Sequence, residues 1–159
     1  MECGPVKQRE MYHLIAELLN TIDIAVCIFD DQDRTVVWNS TFFTFFPEHD
    51  GNLFAGEHYR DNLRRFYRSR LVGEECQNIE RYIDEGVERH RRQARPFVFS
   101  HRGRLLRVAS LPLPNGDRIR IWQNLKPAPH ASAEPSDWTD FPIDLLEYLA
   151  DGAMILDRD

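Results

Sequence analysis

The sequence predicts an α+β domain, a five-stranded antiparallel sheet with helices on one face, preceded by an N-terminal amphipathic helix. Three observations carry that prediction. Two β-branched runs, residues 24–29 and 35–38, flank the acidic cluster Asp30, Asp31 and Asp33, which is the pattern of a hairpin. Two amphipathic stretches then fill residues 59–92 with a helical period. From Pro96 onward the period becomes alternating, through residues 97–101, 105–113 and 119–125, as three strands require.

At the N-terminus, Met11, Ile15, Leu18 and Ile22 recur at spacings of four, three and four, with Leu14 and Leu19 beside them. This heptad-like stripe marks a helix over residues 1–20 that either lies on its own sheet or pairs with a second copy. Asn39 and Ser40 are N-cap residues for a helix carrying Phe42, Phe43, Phe45 and Phe46, which Pro47 ends. A polar loop over 48–56 leads to a helix with the apolar face Tyr59, Leu63, Phe66, Tyr67 and Leu71. Arg60, Arg64, Arg65, Arg68 and Arg70 crowd its other side. Such a run reads as a solvated face or, alternatively, as a docking surface for an anion or a partner. After a break at Gly73, Ile79, Tyr82, Ile83 and Val87 form the stripe of a second helix with His90 on the same side. Arg89, Arg91 and Arg92 oppose the negative end of its dipole. Arg102-Gly103 and Asn115-Gly116 supply the two hairpin turns.

The segments Phe29-Asp30, the turn through Asp33, Val36-Val37-Trp38-Asn39 and the aromatic run from Phe42 to Phe46 resemble, in their order, the opening of a PAS domain. The resemblance runs over about residues 18–126, with the PAS domain placed at 21–126. It implies a PAS-like sheet, a sensory or interaction role, and dimerisation through the helix that precedes the first strand, with Met11, Ile15, Leu18 and Ile22 at the dimer interface. PAS domains of this signalling type end their last strand in an Asp-Ile-Thr-like triplet. Here Ile121-Trp122 is followed by Gln123-Asn124-Leu125-Lys126, so the acidic and hydroxyl members of that junction are missing.

Residues 127–139 are rich in Pro, Ala and Ser and read as a linker. Beyond it, the run from Leu145 to Asp157 aligns without gaps on Leu18 to Asp30, with Leu18, Leu19, Ile28 and Asp30 recurring as identities. Such a repeat points to architecture, so residues 140–159 are expected to be the truncated start of a second PAS domain in a longer tandem protein. A C-terminal helix docked on the first domain is the alternative.

Composition limits the function classes. Hydrophobic residues at 42% and aromatic residues at 11% of 159 suffice for one core. The net charge of −6 argues against nucleic acid as the main partner. No apolar run approaches the ~20 residues of a membrane span, and the N-terminus lacks a signal-peptide centre, so a soluble, cytoplasmic protein is expected. Cys3, Cys27 and Cys76 are odd in number and scattered, which suggests reduced thiols. No phosphate loop, His-Glu-x-x-His or Gly-x-Ser-x-Gly occurs, and Asp30, Asp31 and Asp33 lack the Gly and distal Glu of a calcium loop. No catalytic or metal-binding residue is therefore assigned.

Cofactors are weighed through the resemblance. Cys76 sits in Glu74-Glu75-Cys76-Gln77-Asn78, unlike the Asn-Cys-Arg-Phe-Leu-Gln box of flavin photosensors. Haem-binding members take an axial His from the helix that here carries His90, but a lone His on an apolar face is more often a core residue. A metal-free pocket for a small molecule would draw on Tyr82, His90, Arg107, Ser110 and Trp122. The preferred alternative is that the aromatics fill the core and Arg107 faces solvent or a dimer partner. The resulting expectation is a non-catalytic, homodimeric sensory module of a bacterial signalling protein, ahead of a GGDEF-type diguanylate cyclase or, failing that, a histidine kinase. A pure dimerisation scaffold with a collapsed pocket is the competing class.

Overall fold

The structure is a computed structural model that describes residues 4–125. In chain order it forms α1 (Pro5–Asn20), β1 (Ala25–Phe29), β2 (Thr35–Trp38), α2 (Ser40–Phe45), α3 (Tyr59–Arg70), α4 (Ile79–Arg92), β3 (Phe97–His101), β4 (Arg104–Pro112) and β5 (Arg118–Asn124). Short 3₁₀ turns occupy Pro47–His49 and Gly73–Asn78, where loop and break were expected. The strands make one sheet in the order β2-β1-β5-β4-β3, with every neighbouring pair antiparallel. The predicted α+β class is thus observed. The expected linker at 127–139 and second-domain start at 140–159 lie outside the described residues.

β5 is the central strand, and its register ties the sheet together. Trp122 stands opposite Ala25 on one side and Val108 on the other, and Arg120 opposite Cys27 and Ser110. β1 is buried along its whole length because the sheet is covered on both faces. Ala25, Cys27 and Phe29 join the cluster of α2, α3 and α4. Val26 and Ile28 turn the other way, to Tyr12 and Ala16 of α1, with Ile119 and Ile121 packed beside them. Strand alternation alone produces that division.

α1 lies on the sheet through a different stripe from the one the heptad spacing suggested. Tyr12 and Ala16 are its buried residues, Ile15 and Leu19 are half-buried, and Met11, Leu14 and Leu18 face outward, as does Ile22 in the turn that follows the helix. The helix therefore packs on its own domain and also leaves an apolar stripe uncovered, Leu14 taking the outward place that the spacing gave to Ile15.

Asn39 holds α1, β1 and α2 together. Its Oδ1 accepts from Phe42 N, capping α2, and from Val26 N, while its Nδ2 donates to the carbonyls of Ala16 and Ile24. The acidic cluster is a turn former: Asp30 Oδ1 accepts from the backbone N–H groups of Gln32 and Arg34, and Asp33 takes φ of 60°. Gly116, at φ 94°, lies against this turn, where an added Cβ would meet Asp31 Cβ at 2.9 Å. No helix among the described residues is long and apolar enough to cross a membrane.

Candidate functional site

The inner face of the sheet, α3 and α4 do not close completely on one another. They leave between them a cavity of about 230 Å³, partly open to solvent, whose walls are mostly aromatic, with Phe42, Phe46, Tyr59, Phe66, Phe99 and Trp122 prominent. The expectation that the aromatics fill the core completely is not met. α3 and α4 touch where α4 has Gly86: an added Cβ there would lie 2.8 Å from Leu63 Cδ1. This close approach forms one wall of the cavity, which both residues line.

The cavity's polar groups are few and mostly cationic. Arg70, Arg89 and Arg120 line it with His49 and Asn62, and among the described residues no acidic one does. Arg70 and Arg89 are exposed, whereas Arg120 is only 4% exposed. Its guanidinium sits over the rings of Tyr59, Phe97 and Trp122 at 5.7, 6.0 and 5.8 Å. Arg120 Nη1 donates to His90 Nδ1 at 3.2 Å, while Arg120 Nε has no hydrogen-bond partner among the described residues. Burial is the main force lowering the pKa of this arginine, although the group remains the charged donor of the site.

His90 is wholly buried and stacks on Tyr59 with ring centroids 3.9 Å apart. Burial first, then the charge of Arg120, holds its pKa well below the ordinary value. It is therefore a neutral imidazole with Nδ1 as acceptor, and its Nε2 faces Asp33 Oδ1 at 3.4 Å. No hydrogen bond forms across that gap, so Nε2 has no hydrogen-bond partner among the described residues.

A second buried polar group lies beside the cavity. Glu57 pairs with Arg65 and accepts from Asn62 Nδ2 at 2.7 Å. Arg65 Nη1 also meets His49 Nδ1 at 2.9 Å. Burial pushes the His49 pKa down to about 4, with Arg65 and His101 acting in the same sense and Glu48 against it. Glu48 in turn bonds His101 at 3.1 Å and Arg102 at 3.2 Å. Burial raises its pKa, but the His101 hydrogen bond and charge, its own backbone N–H and His49 outweigh that and hold it below the usual value.

The residues expected to line a pocket are separated. Trp122 lines the cavity. His90 stands behind Tyr59 and Arg120, both of which line it. Ser110 shares the inward row of Arg120 but spends its hydroxyl on Arg118 at 3.2 Å, away from the lining. Tyr82 stacks on Tyr67 at 5.7 Å and stays at the edge of α4, outside the cavity. Arg107 lies on the opposite face of the sheet, because its neighbours Leu106 and Val108 point inward, and its Nη2 donates to Gln123 Oε1 at 3.2 Å.

On the arginine-rich side of α3, Arg68 and Arg70 are exposed, and four of the five arginines are engaged by neighbouring groups. Arg60 reaches Glu80 and Asp84 of α4, Arg64 reaches Asp61 and Glu80, and Arg65 turns to Glu57. Arg70 donates to the Ser100 carbonyl of β3 at 2.5 Å. These side chains clasp α3 to its neighbours.

Comparison with known proteins places this arrangement. Residues 19–127 match a family model described as PAS fold. Among solved structures, the PAS domain from Bordetella pertussis BvgS is similar, with a TM-score of 0.46 and 12% sequence identity, over 87% of this chain and 98% of that one. No curated protein matches the sequence.

Proposed function

The chain belongs to the PAS-fold family, whose members are generally sensory and signalling modules, and from that premise we propose that it senses a small molecule in its aromatic cavity and regulates an output domain of the same protein. The proposed output is a GGDEF-type diguanylate cyclase, with a histidine kinase as second choice. The domain itself acts as a cytoplasmic, non-catalytic homodimer.

One observation carries this reading: β5 has one face on the cavity and the other on α1. Arg120 and Trp122 line the cavity, and Ile119 and Ile121 pack with Tyr12 and Ala16 of α1. A ligand that contacts Arg120 or Trp122 thus acts on the strand that supports α1, whose outer stripe Met11, Leu14 and Leu18, continued by Ile22 in the turn after it, is free to meet a second copy among the described residues. The mechanism is a population shift, in which ligand favours one of two packings of β5 against α1. Because the last strand lacks the usual acidic and hydroxyl junction, α1 is the favoured route of transmission.

Native mass spectrometry of the chain, purified without denaturation, tests ligand sensing. A retained small molecule supports it; a clean apo dimer that no small molecule stabilises favours the pure scaffold. Assay of the full-length protein for conversion of GTP to a cyclic dinucleotide, against autophosphorylation on histidine, decides the output.

A further inference from the structure

Resting on the reading of the cavity as a ligand site, we infer that its ligand is a small aromatic monocarboxylate, one ring bearing one carboxylate, which pairs with the guanidinium of Arg120. Three observations on the same site lead there.

The first is a buried cation without a counter-ion. Among the described residues Arg120, which is 4% exposed, has no partner for its Nε, and its Nη1 meets only the neutral His90. The buried Glu57 and the half-buried Asp33 and Glu48 are already committed among the described residues: Glu57 to Arg65 and Asn62, Asp33 to Arg91, and Glu48 to His101 and Arg102. A desolvated charge is costly unless paired, and a guanidinium presents a planar fork that matches a carboxylate. The surrounding ring faces offset part of that cost but offer no acceptor lone pair in the plane of the fork.

The second is the charge of the lining. Every charged residue on the cavity wall is an arginine, with Arg70 and Arg89 at exposed positions and Arg120 inside. That gradient draws an anion inward and repels a cation. A single buried guanidinium suits one negative charge, whereas a phosphate asks for more donors than Arg120 supplies.

The third is size and wall chemistry. An apolar cavity of about 150 Å³ holds benzene, so about 230 Å³ has room for one ring with a carboxylate. Phe42, Phe46, Phe66 and Trp122 provide faces and edges for a flat ring.

Calorimetric titration of the full chain with benzoate, benzamide and hexanoate tests the inference. The three probes separate charge from ring: benzamide keeps the ring and plane without the charge, and hexanoate keeps the charge without the ring. Benzoate is expected to bind roughly 30-fold or more tightly than benzamide, and more tightly than hexanoate. In Arg120→Met that preference for benzoate over benzamide should vanish. Benzamide binding as well as benzoate overturns the anion assignment while leaving a ligand cavity in place. Hexanoate binding as well as benzoate overturns the aromatic part. Should no probe bind, the assignment is lost, and a molecule retained in native mass spectrometry still upholds the ligand site itself. The comparison in the unmodified chain stands even if the variant does not fold.

Discussion

Arg120 Nη1 and His90 Nδ1 lie 3.2 Å apart in the interior, and this bond fixes the imidazole as an acceptor. Each residue is tolerable inside because of the other. Arg120 needs an acceptor that carries no proton, and His90 is kept neutral by burial and by that same positive charge.

Removing one partner should therefore cost more than removing both. His90→Leu keeps the volume but leaves the buried guanidinium without its acceptor, and a loss of about 2–4 kcal/mol is expected. Adding Arg120→Met removes the stranded charge, so the double variant should be more stable than His90→Leu alone. Urea unfolding of the four members of this cycle measures the coupling. Additive losses would show that the pair does not act as a unit.

Acid should weaken the fold well before the carboxylates titrate. His49 falls from 6.5 to about 4 through burial, and His90 is lowered in the same sense. A histidine with a depressed folded-state pKa binds fewer protons folded than unfolded, so its contribution is complete above about 6.5 and drains as the pH falls. For His49 the loss approaches about 3 kcal/mol by pH 4. Glu48, held below its ordinary 4.5, adds its own loss only below that value. Calorimetric melting from pH 7 to pH 4.5 should show a falling Tm, and His49→Gln, which can still accept from Arg65, should flatten part of the decline.

Asn39→Ala should be among the more damaging single changes outside the aromatic core. It removes the α2 cap and leaves Val26 N, Ala16 O and Ile24 O without this partner. The cap alone is worth about 1 kcal/mol and the buried groups add to it, so about 3 kcal/mol is expected. Asn39→Asp keeps Oδ1 but loses both donated bonds. Its denaturation midpoint should fall between those of the wild type and the alanine variant if the cap dominates.

The strands and helices were legible in the sequence because their periods are local, whereas the site depended on parity and distant contacts. Trp122 is a pocket candidate from the sequence, and the period of two then places Arg120 on the same face. An arginine between isoleucines invites the opposite reading, since arginines usually face water. Parity also settles Arg107, whose neighbours Leu106 and Val108 are buried. His90 is legible on the same side as the α4 stripe of Ile79, Tyr82, Ile83 and Val87. By contrast, no local pattern marks Glu57, Arg65 and His49, which meet only when the loop before α3 folds against the 3₁₀ turn. Asn39 was legible as a cap, but its bonds to Ala16 and Ile24 require α1 to be seated on the sheet.

The outward stripe of α1 provides the last prediction. Leu14 and Leu18 are 66 and 65% exposed and, with Met11, form an apolar line on a helix already anchored by Tyr12 and Ala16, which Ile22, 58% exposed, continues in the turn after the helix. That anchoring separates dimerisation from folding. Tyr12 hydroxyl donates to Asp117 Oδ2 at 2.6 Å, which fixes the helix on its own domain whether or not a second copy is bound. Leu14→Asp with Leu18→Asp should thus yield a monomer of unchanged helix content, because like charges would face one another across a symmetric contact. Ile15→Asp, by comparison, places a charge at a half-buried position and should lower stability as well. Light scattering coupled to size exclusion reads the mass and thermal melting reads the stability. A double variant that keeps the mass of the wild-type assembly would show that this stripe is not where two copies meet.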